Sequence, residues 1–411
     1  MAKLQNVRGT YDLYGEAKRK MKKVTSVGSE VVEKYGFEEI ETPIFEFTEV
    51  FSRNLGETSD VVTKEMYCFE DRGGESLTLR PEGTAGVVRS FISEGMQQNL
   101  PVKLYYSGPM FRYERPQKGR QRQFTQFGCE LLGVETPQAD IEVIAMAYEF
   151  LEKLGLTGSV TVEINSLGDR ESRDAYREKL VAYLKSRYDE LSEDSKTRLE
   201  RNPLRVLDSK EECDKAVVED APLYKDSLNE TSSAFFNAVL KGLDNLGIKY
   251  KVNDRLVRGL DYYSHTVFEL VTDKLGSQGT VLAGGRYDGL VEQMGGGKVA
   301  GIGWACGVER LSMLLEADVS LPRPIAVIPV GEDVNDKAVE IAYQLRRAGF
   351  RVEHGYSGNL KKRMMKANKV NAVKAVIIGS DELSKGEATL KDLDSGAQKN
   401  VALDKIVEEL R

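Results

Sequence analysis

Apolar positions recur near helical spacing across residues 15–35, where Met21, Val24, Val27, Val31 and Val32 mark one face. That period predicts an amphipathic helix, and Gly36 is placed to cap its C-terminal end. The pattern then changes. GFEEIETPIFEFTEVF reads as extended chain interrupted by Pro43, which a sheet edge or a subunit contact tolerates because proline cannot donate to a ladder. Strand-like, glycine-punctuated stretches recur at about 66–80, 103–133, 159–165, 262–272, 279–284 and 300–306. Between about 168 and 245 the chain turns charged and helical in pattern, as in ESRDAYREKLVAYLKSRYDELSEDSKTRLE. Flanked by strand-rich blocks, this segment reads as a helical insertion into a mixed sheet domain. The alternative is a plain helical layer of that domain.

The last 88 residues have a rhythm of their own. PIAVIPV, RVEHGY and KAVIIGS are short strands alternating with two helical patterns, a βαβαβ unit of a small α/β domain. The expected division is therefore 1–322, containing the insertion at about 168–245, and 323–411. Residues 324–411 carry 15 Lys and Arg against 13 Asp and Glu, positive by two in a chain of net charge −7, which leaves −9 on the rest. In the second helix, NLKKRMMKANKV, Lys362, Lys366 and Lys369 form one stripe, with Leu360, Met364 and Ala367 on the other side. A solvated face accounts for such a stripe, and so does contact with a phosphate backbone.

Alternation sorts one further stretch into faces. KLYYSGPMFRYE and QFTQFGCELLG suit two strands of a hairpin, with RPQKGR as a polar loop between them. Side chains two apart share a face. Met110, Arg112 and Glu114 fall together, as do Phe124, Gln126, Gly128 and Glu130. Phe111 and Tyr113, with Phe127, Cys129 and Leu131, take the opposite side and read as core. The first set gathers a guanidinium, two carboxylates, an amide and an aromatic ring on an exposed sheet surface. A structural salt-bridge cluster would explain it, but Gly128 leaves room for a ligand to lie there.

Composition narrows the chemistry. At 411 residues and 41% hydrophobic the chain holds a real core, with length for two or three domains at roughly 100–200 residues each. A pI near 5.4 argues against coating nucleic acid non-specifically, so phosphate binding should be confined to a basic cleft. Five basic residues, Arg112, Arg115, Lys118, Arg120 and Arg122, crowd the hairpin loop. Four dispersed cysteines without CxxC spacing read as reduced thiols of a cytosolic protein, and two histidines make a zinc site an unlikely reading. The N-terminus has no apolar run to serve as a signal peptide. No run of about 18 apolar residues suggests a membrane span. GGGKVAGIGWACG fails as a P-loop because Val299 follows Lys298, and GIGWACG is one residue off the dinucleotide fingerprint.

FRYE…RQRQF resembles motif 2 of the class II aminoacyl-tRNA synthetases, and the fuller GPMFRYERPQKGRQRQFTQFGCE resembles the histidyl-tRNA synthetases specifically. RGLDYY at 258–263 and AGGRYDGL at 283–290 resemble that family's two signatures, and GIGWACGVERLSMLL at 301–315 resembles class II motif 3. LRPEGTA at 79–85 and VRGTYD at 7–12 agree. The resemblance implies an α/β (α+β) fold: a class II antiparallel sheet flanked by helices, with a helical insertion and a C-terminal anticodon-binding α/β domain. It implies a homodimer through YGFEEIETPIF, and a cytoplasmic enzyme that activates L-histidine with ATP and charges tRNA(His). Mg2+ should arrive with ATP, with no protein-bound structural metal.

The carried-over roles are specific. Arg112 and Arg258 match positions that contact the α-phosphate, and Arg258 also falls among the positions that bind histidine. Glu114 corresponds to the acceptor of the adenine amino group, Phe124 and Arg310 to the two sides of an adenine sandwich, and Arg120 to a loop arginine reaching the distal phosphates. Glu130 and Tyr263 match residues holding the imidazole, Glu82, Thr84 and Gln126 match those binding the α-amino group, and Tyr287 lines the pocket. Arg115 and Gln117 are placed to meet the tRNA acceptor end. Strict alternation puts Arg258 and Tyr263 on opposite faces, so both reach one site only if the strand begins after Gly259. His265 and His354 are bystanders. The rival is the regulatory subunit of ATP phosphoribosyltransferase, a paralogous family that binds histidine without catalysis and generally lacks the last domain.

Overall fold

A computed structural model describes residues 3–53, 61–207, 209, 211–258, 262–276 and 279–411. The chain divides into two compact units, Met1–Val319 and Ser320–Arg411. Strands of the first unit are β1 (Glu38–Glu39), β2 (Phe45–Phe47), β3 (Tyr67–Glu70), β4 (Ser76–Leu79), β5 (Val102–Phe111) and β6 (Gln123–Leu132). They continue with β7 (Thr161–Ser166), β8 (Tyr250–Val252), β9 (Ser264–Val271), β10 (Thr280–Arg286) and β11 (Gly301–Gly307). Eight of them form one sheet in the order β1-β5-β6-β11-β10-β9-β7-β8, antiparallel except for the β1–β5 and β7–β8 pairs. Strands β2, β4 and β3 make a small separate sheet. Pro43 lies between β1 and β2, where the chain leaves one sheet for the other, so its missing N–H costs no ladder bond.

The first helix, Gly15–Lys34, buries Met21, Val24, Val27, Val31 and Val32, the face its periodicity marks. Gly36 takes φ +80 as the chain turns out of it. This helix and Pro137–Lys153 cover the back of the large sheet, where Phe127, Cys129, Leu131, Phe150 and Trp304 share one core. The Phe150 and Trp304 rings stack at 5.8 Å.

The expected hairpin is present, with Leu104 opposite Glu130 and Met110 opposite Phe124. Three details differ from strict alternation. β5 ends at Phe111, so Tyr113 escapes the core; it is 53% exposed and carries the Arg122 guanidinium 3.8 Å above its ring. Met110, on the ligand side by alternation, is fully buried with Val87, Leu104 and Tyr106. Gly128 faces Tyr106 and leaves no room for a ligand, since a Cβ there would lie 2.5 Å from the Tyr106 hydroxyl.

The helical segment after β7 splits between two cores. Helices Arg170–Ser186, Glu193–Arg201 and Glu212–Glu219 place Tyr176, Leu180, Leu199 and Val217 in a cluster with Tyr262, Tyr263 and Tyr287. The fourth helix, Glu230–Asn245, instead sends Val239 and Leu243 to the core behind the large sheet.

The second unit has β12 (Ile325–Val330), β13 (Val352–His354), β14 (Lys374–Gly379), β15 (Glu387–Asp392) and β16 (Gln398–Ala402). Their order is β13-β12-β14-β15-β16; the first three are parallel, and an antiparallel pair absent from the sequence reading is added. Side chains of β12 alternate between two cores, Ile325 and Val327 meeting helix Asn335–Arg347 while Ala326 and Ile328 meet helix Leu360–Lys369. Lys366 of the basic stripe pairs with Glu353 at 2.6 Å. Among the described residues no helix is long and apolar enough to cross a membrane.

Candidate active site

Strands β6, β9, β10 and β11 of the large sheet, with the loop after β5, line a cavity of about 410 Å³. Glu82, Thr84, Arg112, Glu114, Arg120, Phe124, Gln126, Glu130, Arg258, Tyr263, Tyr287 and Arg310 all line it. These side chains come from segments more than 200 residues apart, and the antiparallel order of β6, β11, β10 and β9 brings them together. Arg115 and Gln117 do not line it. Both are exposed on the loop, where Gln117 and Arg120 exchange backbone hydrogen bonds of 3.0 and 2.9 Å.

One end of the cavity is sealed. Glu130 is 1% exposed. Its Oε1 accepts from the Thr84 hydroxyl at 2.7 Å and its Oε2 accepts from the Tyr287 hydroxyl. Burial pushes its pKa from 4.5 up to about 8, against the lowering effect of those two hydroxyls and with a further push from the Glu82 charge. Glu82 lies N-terminal to helix Thr84–Ser93, and its carboxylate accepts from the backbone N–H of Thr84 at 2.7 Å and of Ala85 at 2.8 Å. That is the anion position a helix start favours. Burial still raises the Glu82 pKa against these bonds and the Arg112 charge.

Glycines that fail as a nucleotide fingerprint have another use here. A Cβ on Gly303 would lie 2.0 Å from Glu130 Oε2, and one on Gly301 2.2 Å from the Tyr287 ring. The strand GIGWACG is glycine-rich because the carboxylate and the phenol occupy the space its side chains would fill.

The other end is charged and wetter. Arg120 Nε is 2.6 Å from Glu114 Oε2, and Arg112 Nη1 is 3.9 Å from Glu114 Oε1. The Arg112 guanidinium lies 5.4 Å from the centre of the Phe124 ring, within cation–π range, and its Nε donates to the Pro81 carbonyl at 2.9 Å. Arg310 donates from Nε to the Gly119 carbonyl at 3.0 Å and from Nη1 to the Thr280 carbonyl at 2.8 Å. Burial lowers the Arg310 pKa, and the Arg120 charge adds to that. Arg258 pairs with Glu269. Burial opposes the charge on Arg258, but Glu269 together with Tyr263 and Tyr262 outweighs it and holds the pKa above the ordinary value.

Arg258 and Tyr263 reach the same cavity, with the guanidinium 5.5 Å from the phenol ring centre. β9 begins only at Ser264, so strand alternation does not bind the two. The expected break at Gly259 lies outside the described residues. His265, at φ +45, stacks on Phe235 at 4.9 Å and does not line the cavity.

Sequence reasoning missed Tyr262, Glu269, Thr280 and Glu309, which also line the cavity. Glu269 left a signal, a carboxylate inside the apolar strand SHTVFELV. Glu309 left none: its two oxygens accept from the Thr125 N–H at 2.9 and 3.0 Å, a contact 184 residues apart.

Comparison with known proteins adds an independent line. A family model described as histidyl-tRNA synthetase matches residues 9–311, and one described as an anticodon binding domain matches 324–411. A histidine–tRNA ligase of Rhodospirillum rubrum is 59% identical over 404 residues, 98% of this chain and 97% of that one. The crystal structure of the apo histidyl-tRNA synthetase of S. aureus is 37% identical and superposes with a TM-score of 0.82, covering 99% of both chains. A Bacillus halodurans structure titled as an ATP phosphoribosyltransferase regulatory subunit/histidyl-tRNA synthetase is 22% identical, with a TM-score of 0.68 over 92% of this chain and 98% of that one. At that identity it shares the fold.

Proposed function

The chain belongs to the histidyl-tRNA synthetase family, and from that premise we propose that the cavity is where histidine meets ATP, with the sealed end taking the amino acid. The protein activates histidine with ATP and transfers it to tRNA. The observation that carries the site assignment is the division of one cavity into a buried carboxylate–hydroxyl cluster and a crown of arginines. A histidine-sensing protein without catalysis has less support, because the ligase relative matches 98% of the chain.

In the first step a histidine carboxylate oxygen attacks the α-phosphorus of ATP, and pyrophosphate leaves with its bonding pair. Charge builds on the α-phosphoryl oxygens, and fixed donors in a partly desolvated site stabilise it more than water does. Arg112 and Arg258 take that role, since a guanidinium offers several donors and stays charged. Arg120 meets the distal phosphates. Phe124 and Arg310 hold the adenine ring, and Glu114 accepts from its amino group. Mg2+ enters as a partner of the ATP phosphates, with no protein ligand assigned.

Glu130, Tyr263 and Tyr287 take the imidazole, which in its neutral form donates at one nitrogen and accepts at the other. Glu82, Thr84 and Gln126 take the α-amino group; buried Gln126 Oε1 has no hydrogen-bond partner among the described residues. A pocket of buried polar groups rejects apolar amino acids, which would leave those groups unpaired. Arg115 and Gln117, exposed on the loop, meet the acceptor end of tRNA(His) in the second step, and residues 323–411 read its anticodon. Helices of the insertion at about 168–245 clamp the acceptor stem. The enzyme works as a cytoplasmic homodimer joined through the segment around Ile44, Phe45 and Phe47, three exposed apolar side chains.

Pyrophosphate exchange into ATP, run with each of the twenty amino acids, tests the assignment. Exchange with histidine alone is expected. Histidine binding without exchange would favour a sensing role.

A further inference from the structure

Glu269 faces the cavity from β9 and has two partners. Its Oε1 accepts from Arg258 Nη1, and its Oε2 accepts from the Thr280 hydroxyl at 2.7 Å on neighbouring β10. The Thr280 carbonyl in turn accepts from Arg310 Nη1 at 2.8 Å, and Arg310 Nε donates to Gly119 in the loop at 3.0 Å. A continuous line of polar contacts therefore joins Arg258 to Arg310. Arg258 and Glu269 are only 18% and 17% exposed, so water screens their pairing less than it would a surface pair.

The geometry leaves Arg258 with capacity to spare. Glu269 takes it by Nη1, while its buried Nε has no hydrogen-bond partner among the described residues. A guanidinium held at one edge presents its remaining donors in a fixed plane. Held this way the side chain need not be ordered when charge develops on the phosphate, and preset orientation is what lowers a barrier. Arg112, Arg120, Arg258 and Arg310 all line one cavity and repel one another. The Glu269 carboxylate beside Arg258 offsets that repulsion, with the Tyr263 ring 5.5 Å from the guanidinium as a second contact.

We propose that Glu269 is a positioning residue for adenylate formation. It fixes Arg258 toward the α-phosphate, and the Thr280 hydroxyl holds the Glu269 carboxylate in place to do so. The proposal rests on the reading of Arg258 as a phosphate-binding residue. A further consequence is that Glu269 acts through Arg258 and not on substrate, so its effect should vanish when Arg258 is gone.

The experiment is pyrophosphate exchange with the full-length protein, together with histidine affinity by calorimetry as a check that each variant is folded. Glu269→Gln should lower kcat about ten- to a hundredfold while histidine affinity stays within about threefold. Thr280→Val keeps the β-branched shape and loses the hydroxyl; it should slow exchange about two- to fivefold in the same direction. The Glu269→Gln/Arg258→Ala pair should be no slower than Arg258→Ala alone. Losses that multiply in the double variant would overturn the proposal alone, as would faster exchange by Glu269→Gln, which would mean that the carboxylate competes with ATP for Arg258. Unchanged exchange by Arg258→Ala would overturn the phosphate reading and this proposal with it.

Discussion

The two ends of the cavity solve opposite problems with similar side chains. At the sealed end Glu130 and Glu82 are 1% and 4% exposed and are met by hydroxyls and backbone N–H groups. At the open end Glu114 and Glu269 are met by arginines. Burial raises the pKa of both carboxyls at the first end, whereas ionic partners hold charge in place at the second. The difference fits the proposed division of labour. A neutral imidazole is recognised by satisfied hydrogen bonds in a dry pocket, where an unpaired polar group is costly. A triphosphate is recognised by charge, and there the protein holds several cations ready at once.

Removing one cation from the open end should break the comparison most sharply. Arg258→His is expected to slow pyrophosphate exchange about 10²–10³-fold, the usual size for loss of one preset donor to a developing anion. Histidine affinity by calorimetry should change less than about threefold. Equal losses in both quantities would make Arg258 a part of the histidine pocket and erase the boundary between the two ends.

The next largest effect belongs to the sealed end. Glu130→Gln should weaken histidine binding about ten- to a hundredfold, as expected when a buried carboxyl that two hydroxyls and the ligand share is replaced by an amide, and leave ATP binding almost untouched. A pH signature distinguishes this carboxyl from its neighbours. Its folded pKa of about 8 lies above the ordinary carboxyl value of 4.5. Folding therefore favours the protonated form, and the stabilisation is full below about 4.5 and falls as pH climbs toward about 8. Each unit of that climb costs about 1.4 kcal/mol at the steepest. Melting temperatures between pH 5 and 8 should fall more steeply for the unchanged protein than for Glu130→Gln, whose amide does not titrate in that range.

The same contrast explains how much was legible from the sequence. Open-end residues sit in long motifs, so Arg112, Glu114, Arg120 and Phe124 could be read together from one hairpin. Alternation also put Gln126 and Glu130 on one face, and the register supports it. It failed where a strand ended early, at Tyr113, and where a ring from the neighbouring strand claimed a glycine's space, at Gly128. Glu309 and Thr280 escaped notice because their function lies in backbone contacts across the sheet, which leave no periodic trace. The glycines of β11 were legible as unusual and not as purposeful, since only the folded sheet reveals that Glu130 and Tyr287 fill the space above them.

The smallest expected effect tests whether the open end recognises nucleotide by charge alone. Phe124 is an aromatic wall of this end, with Arg112 5.4 Å from the ring centre. Replacing Phe124 by Leu keeps most of the apolar volume and removes the π face. A cation–π contact at a partly exposed site contributes about 0.5–1 kcal/mol, so the KM for ATP should rise about two- to fivefold with kcat nearly unchanged. Histidine affinity should not move, because Phe124 lies two strand positions beyond Gln126 and four further from Glu130 on the same face of β6. A larger loss concentrated in kcat would mean that the ring does more than stack: it would be holding Arg112 against the phosphate, and the open end would then depend on packing as closely as the sealed one does.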